Sequence, residues 1–338
     1  MRKIDNSRRM VERARKANAE LYAREWYLAA VENWDRMIQQ WRQENDRWFF
    51  NRDYDQIASL CDSISKLAVL AEAHALQSAD SLRLAVEGEI SFVSYRIRQI
   101  KDYYETLPAK HRTTTQLSQS EILFLESREA FKRGDIQQTV RKIRQAQTLL
   151  NGVEKSLNSM TLGYFRQLPL WKTWAEETVE WSRVNKQAAV IIDKFAHTCL
   201  VYKNGQRINE FPAELGKNWL GPKQQQGDLA TPEGKYAIRQ KKAGAQTKYH
   251  KALVLNYPNE RDKMNFQSAV KTGRLSAEAR IGGLIEIHGE GAKGVDWTQG
   301  CIALKNEDMD RLLDMTRVGT PVTIVGSLLD NPPQVVEE

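Results

Sequence analysis

Cysteine is scarce: Cys61, Cys199 and Cys301 are the three in 338 residues, an odd number at long spacings that forms neither a metal-ligand pair nor a disulfide framework. The useful reading is a single reactive thiol, with no metal and no cofactor expected. Long apolar runs are also lacking; none approaches the roughly 20 residues that a membrane span requires, so no span is expected. The opening residues 1–10 are polar and lack the apolar stretch of a signal peptide. Neither charge sign dominates. Lys and Arg number 30 against 25 Asp and Glu up to Val190, and 20 against 18 beyond it, with the two signs interleaved. A nucleic-acid surface needs basic residues concentrated on one face, so nucleic acid is excluded as a partner. The densest basic group, Arg8, Arg9, Arg13, Arg15 and Lys16, reads as a solvated helix face.

Glycine and proline are rare in the first half. Between Ser7 and Gln187, Gly88, Gly134 and Gly152 are the glycines before Gly163, and Pro108 and Pro169 are the prolines. Apolar residues recur there at steps of three and four, which predicts helices. Trp26, Trp34, Trp41 and Trp48 are spaced by eight, seven and seven, which predicts one long helix with four indoles along a packed stripe. A regular spacing through one helix reads as core more readily than as a groove for stacking sugar rings, and Trp171, Trp174 and Trp181 read the same way. Tyr22-Ala23-Arg24, Phe50-Asn51-Arg52 and Phe131-Lys132-Arg133 each precede an acidic turn and a new amphipathic run, as stacked helical hairpins would. Breaks are expected at 51–53, 108–115 and 134–135.

With 41% hydrophobic and 28% charged residues, 338 residues suffice for two globular domains. Near Ala188 the pattern changes to short alternating runs separated by Gly, Pro and Asn, the mark of an antiparallel β domain. Strands are expected at 198–203, 206–211, 236–239, 252–256, 284–288, 301–304 and 321–325. Asn204-Gly205 between the first two is a hairpin signal. One helix is expected after 304, capped by Asn306 and turning Met309, Leu312 and Leu313 inward. The fold class is therefore α+β: a helical bundle over 1–187, a mainly β domain over 188–330 and a tail over 331–338.

The chemistry concentrates in the β domain. Ile285-Glu286-Ile287-His288-Gly289-Glu290-Gly291 is a strand running into a glycine-rich turn, and Asp296-Trp297-Thr298-Gln299-Gly300-Cys301-Ile302 sets a cysteine directly after a glycine at the start of another strand. Attack on an amide by a thiol needs a thiolate, which an imidazole supplies by taking the proton and later returning it to the leaving amine. An isolated His and Cys would more often be structural. The polar, glycine-marked turn ahead of Cys301 favours a nucleophile, with backbone N–H groups around Gly300 and Cys301 as donors to an oxyanion.

His288-Gly289 followed by Thr298-x-Gly300-Cys301-Ile302 resembles the active-site signature of the L,D-transpeptidase family with the YkuD-type catalytic domain. Asp193-Lys194, Gly227-Asp228, Thr231-Pro232-Glu233-Gly234-Lys235-Tyr236 and Asn256-Tyr257-Pro258-Asn259 fall in the family's order. The resemblance implies a β-sandwich-like domain acting on peptidoglycan stem peptides in the periplasm or cell envelope. Cys301 would attack the carbonyl of the third stem residue and release the terminal D-alanine, and an acceptor amine would take the acyl group to form a crosslink. With water as acceptor the same acyl-enzyme gives an L,D-carboxypeptidase or an amidase. The Gly289 carbonyl would orient His288, and Trp297, Thr298, Tyr249 and His250 would line the substrate groove. Many members carry Arg two residues after the cysteine, where this chain has Ala303; Lys305 is a candidate substitute. The polar segment 257–283 reads either as a lid or as a surface excursion. The helical half is expected to act as a scaffold or to bind an envelope protein.

Overall fold

The computed structural model describes residues 2–108 and 114–331. Two compact units emerge: Met1–Tyr95 with Glu121–Gln147, and Arg96–Ser120 with Thr148–Glu338. The boundary expected at 187 lies inside the second. Residues 109–113, within the expected break at 108–115, and residues 332–338 of the expected tail lie outside the described residues.

The first unit is helical throughout. It contains α1 (Arg2–Lys16), α2 (Ala19–Tyr22), α3 (Arg24–Asn45), most of α4 (Asp55–Thr106), the end of α5 (Thr114–Lys132) and the start of α6 (Ile136–Phe165). Small side chains let its helices approach closely, with Ala14, Ala19, Ala30, Ala68, Ala71 and Ala75 forming one buried cluster around Tyr27. A second cluster joins Met37 to Ile57, Cys61 and Ile64. The tryptophan stripe is packed only in part, with Trp34 against this second cluster and Trp26 stacked on His74 at 5.6 Å. Helix α3 ends at Asn45, before Trp48, and Trp26, Trp41 and Trp48 are exposed to 37%, 39% and 74%. The face that packs is the one carrying Tyr27, Ala30 and Met37, because alanine permits the closer helix approach.

In the second unit, α7 (Leu168–Asn185) lies against a sheet of eight strands. Trp171 and Trp174 are buried there with Phe165, Leu168, Ile191, Leu200 and Val325. Gly326 makes room for the indole: a Cβ at that position would lie 2.1 Å from Trp171. Thr178 and Thr323 join hydroxyls between helix and sheet at 2.5 Å.

The strands are β1 (Ala189–Asp193), β2 (Thr198–Lys203), β3 (Gln206–Pro212), β4 (Gly234–Ala243), β5 (Lys251–Leu255), β6 (Glu286–His288), β7 (Ile302–Ala303) and β8 (Pro321–Val325), in the order β3-β2-β1-β8-β4-β5-β6-β7. β4 pairs with β8 through its first four residues and with β5 from Ile238 onward, so the sheet curls about it. The sheet is mixed rather than antiparallel, because β1 pairs with β8, and β6 with β7, in parallel. Asn204 and Gly205, at φ 55° and 76°, make the expected β2–β3 turn. Helix α9 (Asn306–Met315) buries Met309 and Leu312, but its N-cap is Lys305; the Asn306 side chain instead accepts the Glu290 N–H at 2.7 Å.

Candidate active site

His288 ends β6 and is fully buried, and the parallel register of β6 and β7 sets it opposite Ala303, two residues after Cys301. Its Nδ1 is 2.6 Å from the Gly289 carbonyl. A carbonyl only accepts, so Nδ1 carries the proton and the neutral ring keeps its lone pair on Nε2. Nε2 is buried with no hydrogen-bond partner among the described residues. The Tyr249 ring stacks on the imidazole at 3.6 Å between centres and 6° between planes, and Trp297 meets it edge-on at 5.8 Å. The imidazole is thus fixed in tautomer and in orientation.

Cys301 is half-buried, whereas Cys61 and Cys199 are buried. Its Sγ lies 3.6 Å from the Leu284 carbonyl, and the Glu286 backbone also bonds it. Leu284, just before β6, has φ 58°, a strained value for a side chain with a Cβ. The thiol therefore sits against the chain that leads into His288.

The loop carrying Cys301 is tied at several points. Asp296 accepts the Leu215 N–H at 2.7 Å and meets His197 Nε2 at 2.9 Å. Glu214 accepts Trp297 Nε1 at 2.8 Å and the Gly294 N–H at 2.6 Å, and its backbone bridges to Ala303. Thr298 Oγ1 donates to the Cys301 carbonyl at 2.7 Å and accepts the Gly300 N–H at 3.1 Å. That use of the Gly300 N–H differs from the role expected of it, and the Cys301 N–H has no partner among the described residues. Gly300 has φ 124° and no space for a side chain; a Cβ would lie 2.6 Å from the Ala230 carbonyl.

Burial sets the electrostatics. It pushes the Cys301 thiol up from its usual range, against a smaller opposing effect of the Glu286 backbone bond. It pulls His288 down, and the Gly289 carbonyl bond only partly offsets this. With the thiol raised and the imidazole lowered, both groups are neutral at neutral pH. Glu286 is also buried, and Lys242 neutralises it at 2.8 Å.

Other residues of the expected groove separate into two groups. Tyr249, Trp297 and Thr298 gather around His288 and Cys301 as described. His250 bonds Asp310 Oδ1 at 2.8 Å, beside Lys251. Lys305 faces Glu307 at 3.4 Å. Ala303 is buried and offers no charge. Helix α8 (Glu260–Lys271), in the segment read as a lid or an excursion, buries none of its residues; Arg261 lies over Trp174 of α7 at 4.8 Å, and Asp262 accepts from Tyr236 at 3.1 Å.

Motif residues farther from the thiol prove architectural. Lys194 is fully buried, its ammonium held by the Gly221 and Thr231 carbonyls and by Glu233 at 2.6, 3.0 and 2.7 Å. Asp228 accepts from Lys223 and from the N–H groups of Gln224, Gln225 and Ala230, which fixes the turn beneath Gly300. His197, Glu214 and Asp296 were missed as supports, because only the fold joins positions so far apart in sequence. Among the described residues no group of three His, Cys, Asp or Glu is placed to hold a metal ion, and no helix is long and apolar enough to cross a membrane.

Residues 187–324 match the family model for the YkuD L,D-transpeptidase catalytic domain. Over that segment the chain is similar to a YkuD-type domain. Over 116 residues it is 28% identical to YafK of Escherichia coli K12, whose own assignment as an L,D-transpeptidase is provisional; the match covers 34% of this chain and 37% of YafK. An L,D-transpeptidase from Mycobacterium smegmatis aligns with 16% identity and a TM-score of 0.27, covering 41% of this chain and 58% of that one. L,D-transpeptidase 1 of Mycobacterium tuberculosis aligns with 18% identity and a TM-score of 0.26, covering 41% and 62%. The chain thus spans little more than a third of the length of the curated relative. The matched segment contains His288 and Cys301.

Proposed function

We propose that the YkuD domain is a cysteine acyltransferase acting on peptidoglycan stem peptides in the cell envelope. One observation carries the reading: a buried imidazole, fixed by Gly289 with its Nε2 lone pair unpartnered, in the same site as the one cysteine that is not fully buried. Nε2 takes the Sγ proton as sulfur attacks the carbonyl of the third stem residue. The Cys301 N–H faces the developing oxyanion. The imidazolium then returns its proton to the leaving amine of D-alanine, giving a thioester, and an acceptor amine attacks the thioester with His288 again as base. Trp297, Thr298 and Tyr249 border the path of the stem.

Full-length protein incubated with a tetrapeptide stem and excess acceptor tests this by mass spectrometry. A crosslinked dimer and a thioester adduct, both lost in Cys301→Ala, are expected. Release of tripeptide alone at high acceptor concentration would overturn the transferase reading in favour of hydrolysis.

A further inference from the structure

The neutral pair sits among several lysines, nearly all of which have partners within the protein. Lys242 is spent on Glu286, Lys223 on Asp228, Lys251 on Asp310 and Lys305 on Glu307. Lys293 lies over the Trp297 ring at 3.3 Å. Lys248, like Lys293, lies against a ring instead of a carboxylate. It is exposed, has no carboxylate within ion-pair distance among the described residues, and holds its ammonium 4.9 Å from the centre of the Tyr249 ring. That ring lies 3.6 Å from His288, so 8.5 Å, the sum of the two separations, is the upper limit from the ammonium to the imidazole centre. Its charge is felt at both reacting groups, lowering the proton affinity of Cys301 and of His288.

An exposed cation with no carboxylate partner beside the site favours an anionic part of the ligand. A stem peptide offers carboxylates, one at its terminal D-residue and one on the side chain of a diamino acid at position three. Ala303 is buried and supplies no charge. We propose that Lys248 is the substrate-carboxylate receptor of this site, held above Tyr249 so that a bound carboxylate lies beside Cys301. The inference rests on the proposed function for its natural substrate, although the charge placement can be read without that substrate.

Two measurements on the full-length protein test it. In the first, Sγ displaces iodide from iodoacetate or from iodoacetamide, forming a carbon–sulfur bond with a reagent that does or does not carry a carboxylate. Cys61 and Cys199 are buried, and Cys301→Ala supplies the background. The ratio of iodoacetate to iodoacetamide rates is expected to fall roughly threefold to tenfold in Lys248→Gln, as loss of one nearby charge predicts, and to be retained in Lys248→Arg. An unchanged ratio overturns the proposal. In the second, stems amidated at the terminal or the side-chain carboxylate are compared with the free acid. Wild type loses kcat/KM on amidation of the carboxylate that Lys248 binds, whereas Lys248→Gln loses no more. Equal sensitivity in both proteins overturns the proposal. Should no stem react while the alkylation ratio still responds to Lys248, the proposed function fails and the anion preference stands.

Discussion

Gly300→Ala tests how tightly the backbone fixes Cys301. At φ 124° any L side chain is strained by about 1–3 kcal/mol. The new Cβ would also lie 2.6 Å from the Ala230 carbonyl and 3.3 Å from Ile285 Cδ1. That carbonyl has little room to retreat, because the Ala230 N–H is bonded to Asp228, and crowding of this kind costs about 1–3 kcal/mol. If the loop stays in place, the combined penalty lowers the melting temperature by roughly 10 °C for a unit of this size. If it moves instead, stability is spared and the thiol is displaced; a shift of about 1 Å costs roughly 100-fold in rate. Thermal melting by circular dichroism, read beside the rate at which a tetrapeptide stem forms the Cys301 thioester in intact-mass spectra, separates the two. Gly294→Ala is the control, since that residue has φ 72° but nothing within 4 Å of a Cβ. Its cost is the backbone strain of about 1–2 kcal/mol alone. A Gly300→Ala protein that melts within about 2 °C of wild type and acylates within about twofold of its rate would refute the reasoning.

The pH profile of Cys301 acylation should rise on its acid side through an apparent pKa of the Cys301/His288 pair, because an imidazolium cannot accept the thiol proton. Burial lowers His288, so this limb falls below the ordinary histidine range; a limb above that range would contradict the assignment. Tyr249→Ala opens one face of the imidazole to water, so the limb should move to higher pH, with a loss of about 0.5–1.5 kcal/mol from the lost stacking seen in urea denaturation. Lys194→Met leaves Glu233 buried without its cation and should cost about 3–5 kcal/mol, partly restored by adding Glu233→Gln; equal stability of single and double variants would argue against the pair as a support. Trp171→Ala should cost about 3–5 kcal/mol by the same assay, as an indole is removed from between α7 and the sheet.

Much of this molecule is legible in its sequence where one local signal decides. Asn204-Gly205 specifies its turn by positive φ, and His288-Gly289 and Gly300-Cys301 mark the end of one strand and the approach to another. Signals failed where tertiary contact decides. β1, Ala-Val-Ile-Ile-Asp, is buried at every position, so it lacks the alternation that reveals a half-exposed strand. The spacing of Trp26, Trp34 and Trp41 fits a helix face, but the alanines of α3 determine which face packs. Asn306 sits where a cap belongs, yet its carboxamide is taken by the Glu290 N–H, a partner the sequence does not place nearby. His250 follows Tyr249 in sequence, yet Tyr249 stacks on His288 and His250 bonds Asp310.

The segment that matches the YkuD model and the unit that packs as one body have different starting points. The match begins at residue 187, at the edge of β1, whereas Ile191, Leu200 and Val325 bury one face of the sheet under Trp171 and Trp174 of α7. Without α7 that face would meet water at the cost of several buried apolar side chains, each contributing about 1.5–3 kcal/mol. The same strands lead to the site: β1 pairs with β8, β8 with β4, β4 with β5, and β5 with the β6 strand that ends in His288. Helix α7 therefore lends no atom to the thiol or the imidazole, yet it covers the sheet from which His288 extends. Tyr164 of α6 reaches further, donating to the Glu233 carboxylate that also holds Lys194. The helical segments of this unit thus cover and brace the sheet from which His288 extends.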